Sequence, residues 1–368
     1  MKILYVEPYY SGSHKSWINS YQKKSNNNIE ILSLPGKKWK WRMHGGAIEL
    51  ANQFNHNNKN FDLILCSDML NLPVFKSLCN KNILDSKIAM YFHENQLSYP
   101  WSPKDADVKY KRDLHYAFIN YTSSLVSDFN FFNSEYHYNS YINELKKYLN
   151  KMPDFKNKSN INIIKKKSKV LYLGCDLKNM FSNTTPNKNP VILWNHRWEY
   201  DKNPNLFFNT LFQLKKEKIK FSLIVVGKKY TQFPEIFSKA RDLLKNEIIY
   251  FGYCESKSKY ISLLNESDIL PVTSNQDFFG ISIMEAISCN CYPILPNRLT
   301  YPELFDIKKN KSIFYNSDKE LKNKIISVIT NLDYLKTQNI NFKNKLIEKF
   351  DWQTMSTKYD SIFESYFT

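Results

Sequence analysis

Two carboxylates frame a glycine in Asp277-Phe-Phe-Gly280-Ile-Ser-Ile-Met-Glu285. The glycine opens an apolar run with helical spacing, so Asp277 precedes a helix and Glu285 lies inside it. The first turn of a helix offers unpaired N–H groups and the positive end of a dipole, which suits a phosphate. At the helical rise per residue the two acids lie about 10 Å apart, one at either end of this segment. A diphosphate with hydroxylated groups on both sides fits that frame, which is the outline of a nucleotide sugar. Upstream, Trp194-Asn-His-Arg197-Trp-Glu-Tyr-Asp-Lys202-Asn-Pro follows the apolar run Val191–Trp194. Arg197 supplies a bidentate fork and Lys202 a point charge, both suited to phosphate oxygens. The plainer readings, a common acid pair and a solvated charged loop, stay open at this level.

Nearer the N-terminus, KKWKWR (37–42) interleaves cations with aromatic rings. Lys37, Lys38 and Arg42 can pair with phosphates, while Trp39 and Trp41 can stack on unpaired bases. The alternative is an amphipathic turn that buries both rings. His93, followed by Glu94 and Asn95, comes after the apolar run Lys87–Phe92. There a histidine meets a substrate hydroxyl or satisfies a core, and the two neighbours can hydrogen-bond substrate hydroxyls. Gly12, Ser13 and His14 form the turn after the first apolar run. Asp105-Ala-Asp107 has the spacing of a metal-holding DxD motif. It starts a helical pattern in a polar stretch, however, where an acidic pair stabilises the helix without metal. The six Cys contain no CxxC pair, so no metal site is expected.

These groups need elements to position them. Short apolar runs at Ile3–Val6, Ile29–Leu34, Asp62–Cys66, Lys87–Phe92 and Phe129–Phe132 alternate with helical patterns near 14–24, 45–55, 107–125 and 134–149. A lysine-rich segment follows at 150–169. The rhythm then restarts at Val170–Leu173, Val191–Trp194, Phe221–Val226, Ile248–Phe251, Ile269–Val272 and Tyr292–Leu295. Its helices fall near 203–217, 234–245, 257–265, 280–289 and 317–332, and Trp352–Phe367 reads as a terminal helix. Strands interleaved with helices predict parallel sheets covered on both faces. Two such sets predict an α/β chain of two doubly wound, Rossmann-like domains facing across a cleft. The predicted bounds are 1–180 and 181–345, with a helix over 346–368 packing back on the first domain. Ligands in such sheets sit beyond the carboxyl ends of the strands.

Composition limits the alternatives. A chain of 368 residues that is 42% hydrophobic and 15% aromatic excludes disorder throughout. No apolar run reaches the roughly 18 residues of a spanning helix. MKILYVEPYY reads as a strand rather than an export signal, so reduced thiols and a cytoplasmic location are expected. The formal charge is +17, although only five of the 52 basic residues are Arg. An abundance of Lys and Asn accounts for part of that excess. Residues 146–169 nevertheless carry nine Lys against the single Asp154, a basic patch suited to a polyanion.

An Arg and a Lys after a strand of the second set, followed by acid–x–Phe–Gly–x4–Glu, resemble the retaining GT-B glycosyltransferases of family four. In that family the Arg and Lys hold the donor diphosphate, the last Glu grips the ribose, and the first acid touches the transferred sugar. The matching positions are Arg197, Lys202, Glu285 and Asp277, with Phe279, Gly280 and Ile281 completing the donor segment. Asp277 stands where the family usually has Glu. His93 matches a histidine found near the transferred sugar, and Gly12, Ser13 and His14 match a loop near the donor phosphates. LPGKKWKWR (34–42), YFHENQLSYP (91–100), FNS (132–134), ILWNHRWEYDKNP (192–204), DFFGISIMEA (277–286) and CNCYPILP (289–296) together resemble a narrower family, the tRNA-queuosine α-mannosyltransferases. That resemblance implies transfer of mannose from GDP-mannose to queuosine in the anticodon loop of aspartate tRNA, without a cofactor or metal and without membrane insertion. A lipid or polysaccharide acceptor, or a tRNA-binding protein with a decayed donor site, are the alternatives.

Overall fold

The computed structural model describes residues 1–57, 59–102, 105–110, 114–182 and 187–367. Runs of Ile, Leu, Val and Phe form the central strands, buried on both faces as parallel sheets require, whereas edge strands such as Asn28–Pro35 and Ser168–Val170 are partly exposed. In the first sheet the strands are β1 (Lys2–Tyr10), β2 (Asn28–Pro35), β3 (Leu63–Ser67), β4 (Lys87–Phe92), β5 (Phe129–Phe132) and β6 (Ser168–Val170). In the second they are β7 (Val191–Trp194), β8 (Ser222–Val226), β9 (Ile248–Gly252), β10 (Ile269–Pro271), β11 (Tyr292–Pro296) and β12 (Phe314–Tyr315). The spatial orders are β2-β1-β3-β4-β5-β6 and β12-β11-β10-β7-β8-β9. Both are doubly wound, so the fold is α/β of the GT-B class. The order reverses beside β1, against β3, in the first sheet and between β7 and β10 in the second. Loops at these switch points are where such sheets bind ligands.

The helices of the first sheet are α1 (Gly12–Lys24), α2 (Trp39–Asn57), α3 (Leu72–Leu78), α4 (Ala106–Lys109), α5 (His115–Val126), α6 (Glu135–Asn150) and α7 (Asn160–Lys166). Those of the second are α8 (Pro204–Lys216), α9 (Ile236–Leu243), α10 (Lys257–Asn265), α11 (Ile281–Ser288), α12 (Tyr301–Leu304), α13 (Asp318–Thr330) and α14 (Leu332–Phe350). The last, α15 (Trp352–Glu364), returns to the first sheet. The chain divides into two compact units, Met1–Gly174 with Trp352–Thr368, and Cys175–Asp351. Between the first sheet and its helices, Val6, Ile64, Met90 and Phe132 pack with Leu50, Phe75 and Tyr141.

Several elements differ from the sequence reading. The strand expected at Val170–Leu173 to open the second set is instead Ser168–Val170, paired with β5 at the edge of the first sheet. Its apolar residues fit either sheet, and only the pairing decides. The helix expected over 107–125 is two helices, α4 and α5, with 111–113 outside the described residues. The helix expected from 45 begins at Trp39, so most of KKWKWR is helical. The lysine-rich segment contains α7, and the long α14 was not anticipated, because its Lys and Asn mask the apolar stripe. Among the described residues no helix is long and apolar enough to cross a membrane.

Candidate active site

At the switch point of the second sheet, β7 ends at Trp194 and the chain loops to Asn203. Asn203 has φ of 51°, and its side chain accepts from the Leu206 amide at the start of α8, with Pro204 at the first helical position. The loop is tied to the one after β10: Asn275 N donates to Asp201 O at 2.7 Å and Thr273 Oγ1 to Lys202 O at 2.9 Å. It crosses the end of β8 where only glycine fits, since a Cβ on Gly227 would lie 1.9 Å from His196 O. Trp198 is buried and stacks on Phe237 with 4.4 Å between centroids.

These ties converge on Lys202, which is buried. Its Nζ donates to Gln276 O at 2.6 Å and lies 3.3 Å from Asp201 Oδ2 and 3.5 Å from Asp277 Oδ2. Tyr301, wholly buried, donates its hydroxyl to Asp277 Oδ2 at 3.0 Å. Arg197 is exposed and lies 3.2 Å from Glu199 and 4.0 Å from Asp201. Two cations are thus held in place by three carboxylates. Burial pushes the His196 imidazole down to about 3, with the Lys202 charge adding to the effect, so this residue is neutral.

Gly280, at φ of 89°, turns the chain from Asp277 into α11 in a conformation that suits glycine. Phe279 packs edge-on against Phe350. The Asn195 amide donates to Ser282 O at 2.7 Å, fixing the first turn of α11 to the β7 loop. One turn beyond Ile281, Glu285 accepts from Tyr260 OH at 3.0 Å, and burial pushes its carboxyl up to about 7. The structure therefore brings Arg197, Lys202, Asp277, Gly280, Ile281 and Glu285 together around one switch point.

The first unit gathers a second group. His14, in the first turn of α1, lies against His93 after β4, the rings tilted by 33° with 4.2 Å between centroids. His14 Nδ1 lies 2.8 Å from Glu7 Oε2, and the His93 amide donates to Asp68 Oδ1 at 2.8 Å. Glu7 and Asp68 were not singled out in the sequence. An acid inside the apolar run KILYVEPYY was the available signal for Glu7. Asn95 is buried, and its Oδ1 accepts from Leu97 N, Ser98 N and Ser98 Oγ, so it shapes its own loop. Glu94 accepts from Gln96.

The two tryptophans of KKWKWR part company. Trp39 is half-buried beside Met43, Met69 and Tyr116, whereas Trp41 is 63% exposed. Lys40 lies over the Trp39 and Trp101 rings and donates to Asp105 at 2.6 Å and to Asp107 at 2.5 Å. The DxD acids thus hold an ammonium group. Lys37 and Lys38 are exposed, and Arg42 donates to Pro35 O.

Family models match both units: "tRNA-queuosine alpha-mannosyltransferase N-terminal" over residues 2–175 and "Glycosyl transferases group 1" over 176–345. A Drosophila melanogaster tRNA-queuosine α-mannosyltransferase is 33% identical, covering 99% of this chain and 97% of its own length. The chain belongs to the tRNA-queuosine α-mannosyltransferase family. Members of this family are glycosyltransferases, and the fold agrees with solved glycosyltransferase structures. Sucrose-phosphate synthase from Thermosynechococcus elongatus superposes with a TM-score of 0.75 at 12% identity, covering 100% of this chain and 99% of that one. Anabaena HepE in complex with UDP-glucose gives 0.69 at 15%, covering 99% and 100%. A glycosyltransferase from Rickettsia africae gives 0.66 at 18%, covering 99% and 98%. Asp277, with a shorter arm than Glu, keeps a carboxylate oxygen 3.5 Å from Lys202 Nζ.

Proposed function

We propose that this protein transfers mannose from GDP-mannose to a hydroxyl of queuosine in the anticodon loop of aspartate tRNA, with retention at the anomeric carbon. The observation that carries this reading is the 33% identity to the Drosophila enzyme across nearly the whole of both chains. As the glycosidic bond breaks, negative charge grows on the departing β-phosphate and positive charge on the sugar. Arg197, Lys202 and the first turn of α11 oppose the first charge from fixed positions. Asp277, beside Lys202, contacts the transferred sugar, and His93 hydrogen-bonds a sugar hydroxyl. The leaving phosphate takes the acceptor proton. Neither a metal nor a cofactor has a part in these steps, and the reaction takes place in the cytoplasm. The test is whether labelled mannose moves to queuosine-containing aspartate tRNA.

Glu285 makes donor binding depend on pH. As an acid at the lower end of the range and a carboxylate at the upper end, it accepts hydrogen bonds from the ribose diol more strongly as pH rises. The KM for GDP-mannose is expected to fall several-fold between about pH 6 and pH 8, and Glu285→Gln to flatten that profile at a higher KM. The sign for stability is opposite. The folded pKa lies above the ordinary 4.5, so the folded state holds the extra proton, and this contribution is lost as pH rises through about 7. A KM independent of pH in the wild type would remove Glu285 from the ribose.

The two tryptophans separate binding from folding. Trp41→Ala is expected to weaken tRNA binding by about 1–3 kcal/mol with little change in melting temperature. Trp39→Ala is expected to lower the melting temperature, because its ring packs on Tyr116 at 5.1 Å. Filter binding and thermal melting of both variants check this. Unchanged tRNA affinity in Trp41→Ala would take that ring off the RNA.

A further inference from the structure

Glu7 is a charged residue in the middle of a parallel sheet, at the switch point between β1 and β3. It is completely buried, and its two oxygens accept four hydrogen bonds. Oε2 receives Tyr5 OH at 2.9 Å and His14 Nδ1 at 2.8 Å; Oε1 receives Tyr9 N at 2.8 Å and Ser67 Oγ at 3.0 Å. Burying an ion pair is weak support for stability, since apolar residues of similar volume do as well or better. The arrangement therefore invites a functional explanation, and the other end of the pair supplies one. His14 Nε2 makes no hydrogen bond among the described residues, although His14 is only 8% exposed. The ring is held by Glu7 at Nδ1 and by the tilted His93 ring beside it.

We propose that Glu7 is a positioning residue that holds His14 as a fixed imidazolium whose Nε2–H binds a phosphate group of the substrate. This rests on the reading above that the loop after β1 meets the donor diphosphate. The groups facing His14 are Glu7, Asp68 at the end of β3, and His93 and Glu94 after β4. Despite burial, the Glu7 charge and hydrogen bond carry His14 up to about 9. Burial, reinforced by the His14 charge, drives His93 well below the usual range. Burial also pushes the Asp68 carboxyl up from the usual range. One histidine is then a cation at neutral pH and its neighbour a neutral hydrogen-bonding group.

The test is histidine NMR on the full chain, titrated with inorganic pyrophosphate. In the wild type, His14 is expected to remain an imidazolium between about pH 6 and pH 8, and pyrophosphate to shift its Nε2 resonance. In Glu7→Gln, burial no longer has the Glu7 charge against it and His14 is expected to titrate well below its wild-type value, weakening pyrophosphate binding at least about tenfold at pH 8 and less at pH 6. Recovery at acid pH is what a merely structural role would not give. His14→Gln is expected to be weak at both pH values. If Glu7→Gln does not fold, the wild-type titration still decides. A neutral His14 at pH 7, or a pyrophosphate complex that leaves its Nε2 unshifted, overturns the proposal. No GDP-mannose or tRNA enters this experiment, so its failure and failure of the mannosyl-transfer reading are separable.

Discussion

Arg197→Ala is expected to lower kcat/KM for GDP-mannose by about 10²–10³-fold, the usual cost of removing one fixed donor from a developing charge. Its stability should change by no more than about 1 kcal/mol, because the guanidinium is exposed and its ion pairs with Glu199 and Asp201 are screened. Lys202→Ala should lose as much activity and a good deal of stability as well. Asp201 is 2% exposed, and neither of its oxygens has a hydrogen-bond donor among the described residues. Lys202 Nζ at 3.3 Å is its main compensation. Removing one partner of a buried pair costs about 3–5 kcal/mol. Steady-state kinetics and thermal melting on both variants separate the two effects, and wild-type turnover in Arg197→Ala would overturn the donor assignment.

Trp352→Ala is expected to destabilise the first unit by about 3–5 kcal/mol, the cost of emptying a buried tryptophan site. Its ring lies flat against the Gly174 backbone, where a Cβ would come within 2.4 Å of it, and stacks on Tyr21 at 5.7 Å. Further along α15, Tyr359 donates to Tyr172 O at 2.8 Å. Asp360 accepts from Tyr21 OH at 2.7 Å, Ser25 Oγ at 2.6 Å and Asn26 N at 2.8 Å. The same aromatic group reaches the site, since Trp17 packs edge-on against His93 at 4.8 Å. The melting temperature should fall by about 10 °C, with loss of transfer before the global transition. A melting temperature unchanged by the substitution would show that α15 is not part of that unit's core.

Much of this was legible in the residues, and the gaps have a common cause. The strands up to β5 and from β7 to β11 announce themselves as apolar runs, and the segments from Arg197 to Lys202 and from Asp277 to Glu285 sit at strand ends that spacing alone identifies. What spacing cannot carry is pairing at long range. Val170 adds a strand beside β5 rather than starting a new sheet, because its partner is Phe132, 38 residues earlier. Lys40, within KKWKWR, has its carboxylates 65 and 67 residues away. Glu7 stands out only through Ser67 and His14, which the fold brings to it. Trp39 and Trp41 are alike in sequence, and only the packing of Tyr116 on one of them tells them apart.

Mannosyl transfer itself is tested most directly with purified protein, labelled GDP-mannose and two aspartate tRNAs, one carrying queuosine and one an unmodified transcript. Label on the queuosine tRNA alone is the expected result, and it would establish donor, acceptor and reaction together. No label on either tRNA, from protein that still binds GDP-mannose, would contradict queuosine as the acceptor.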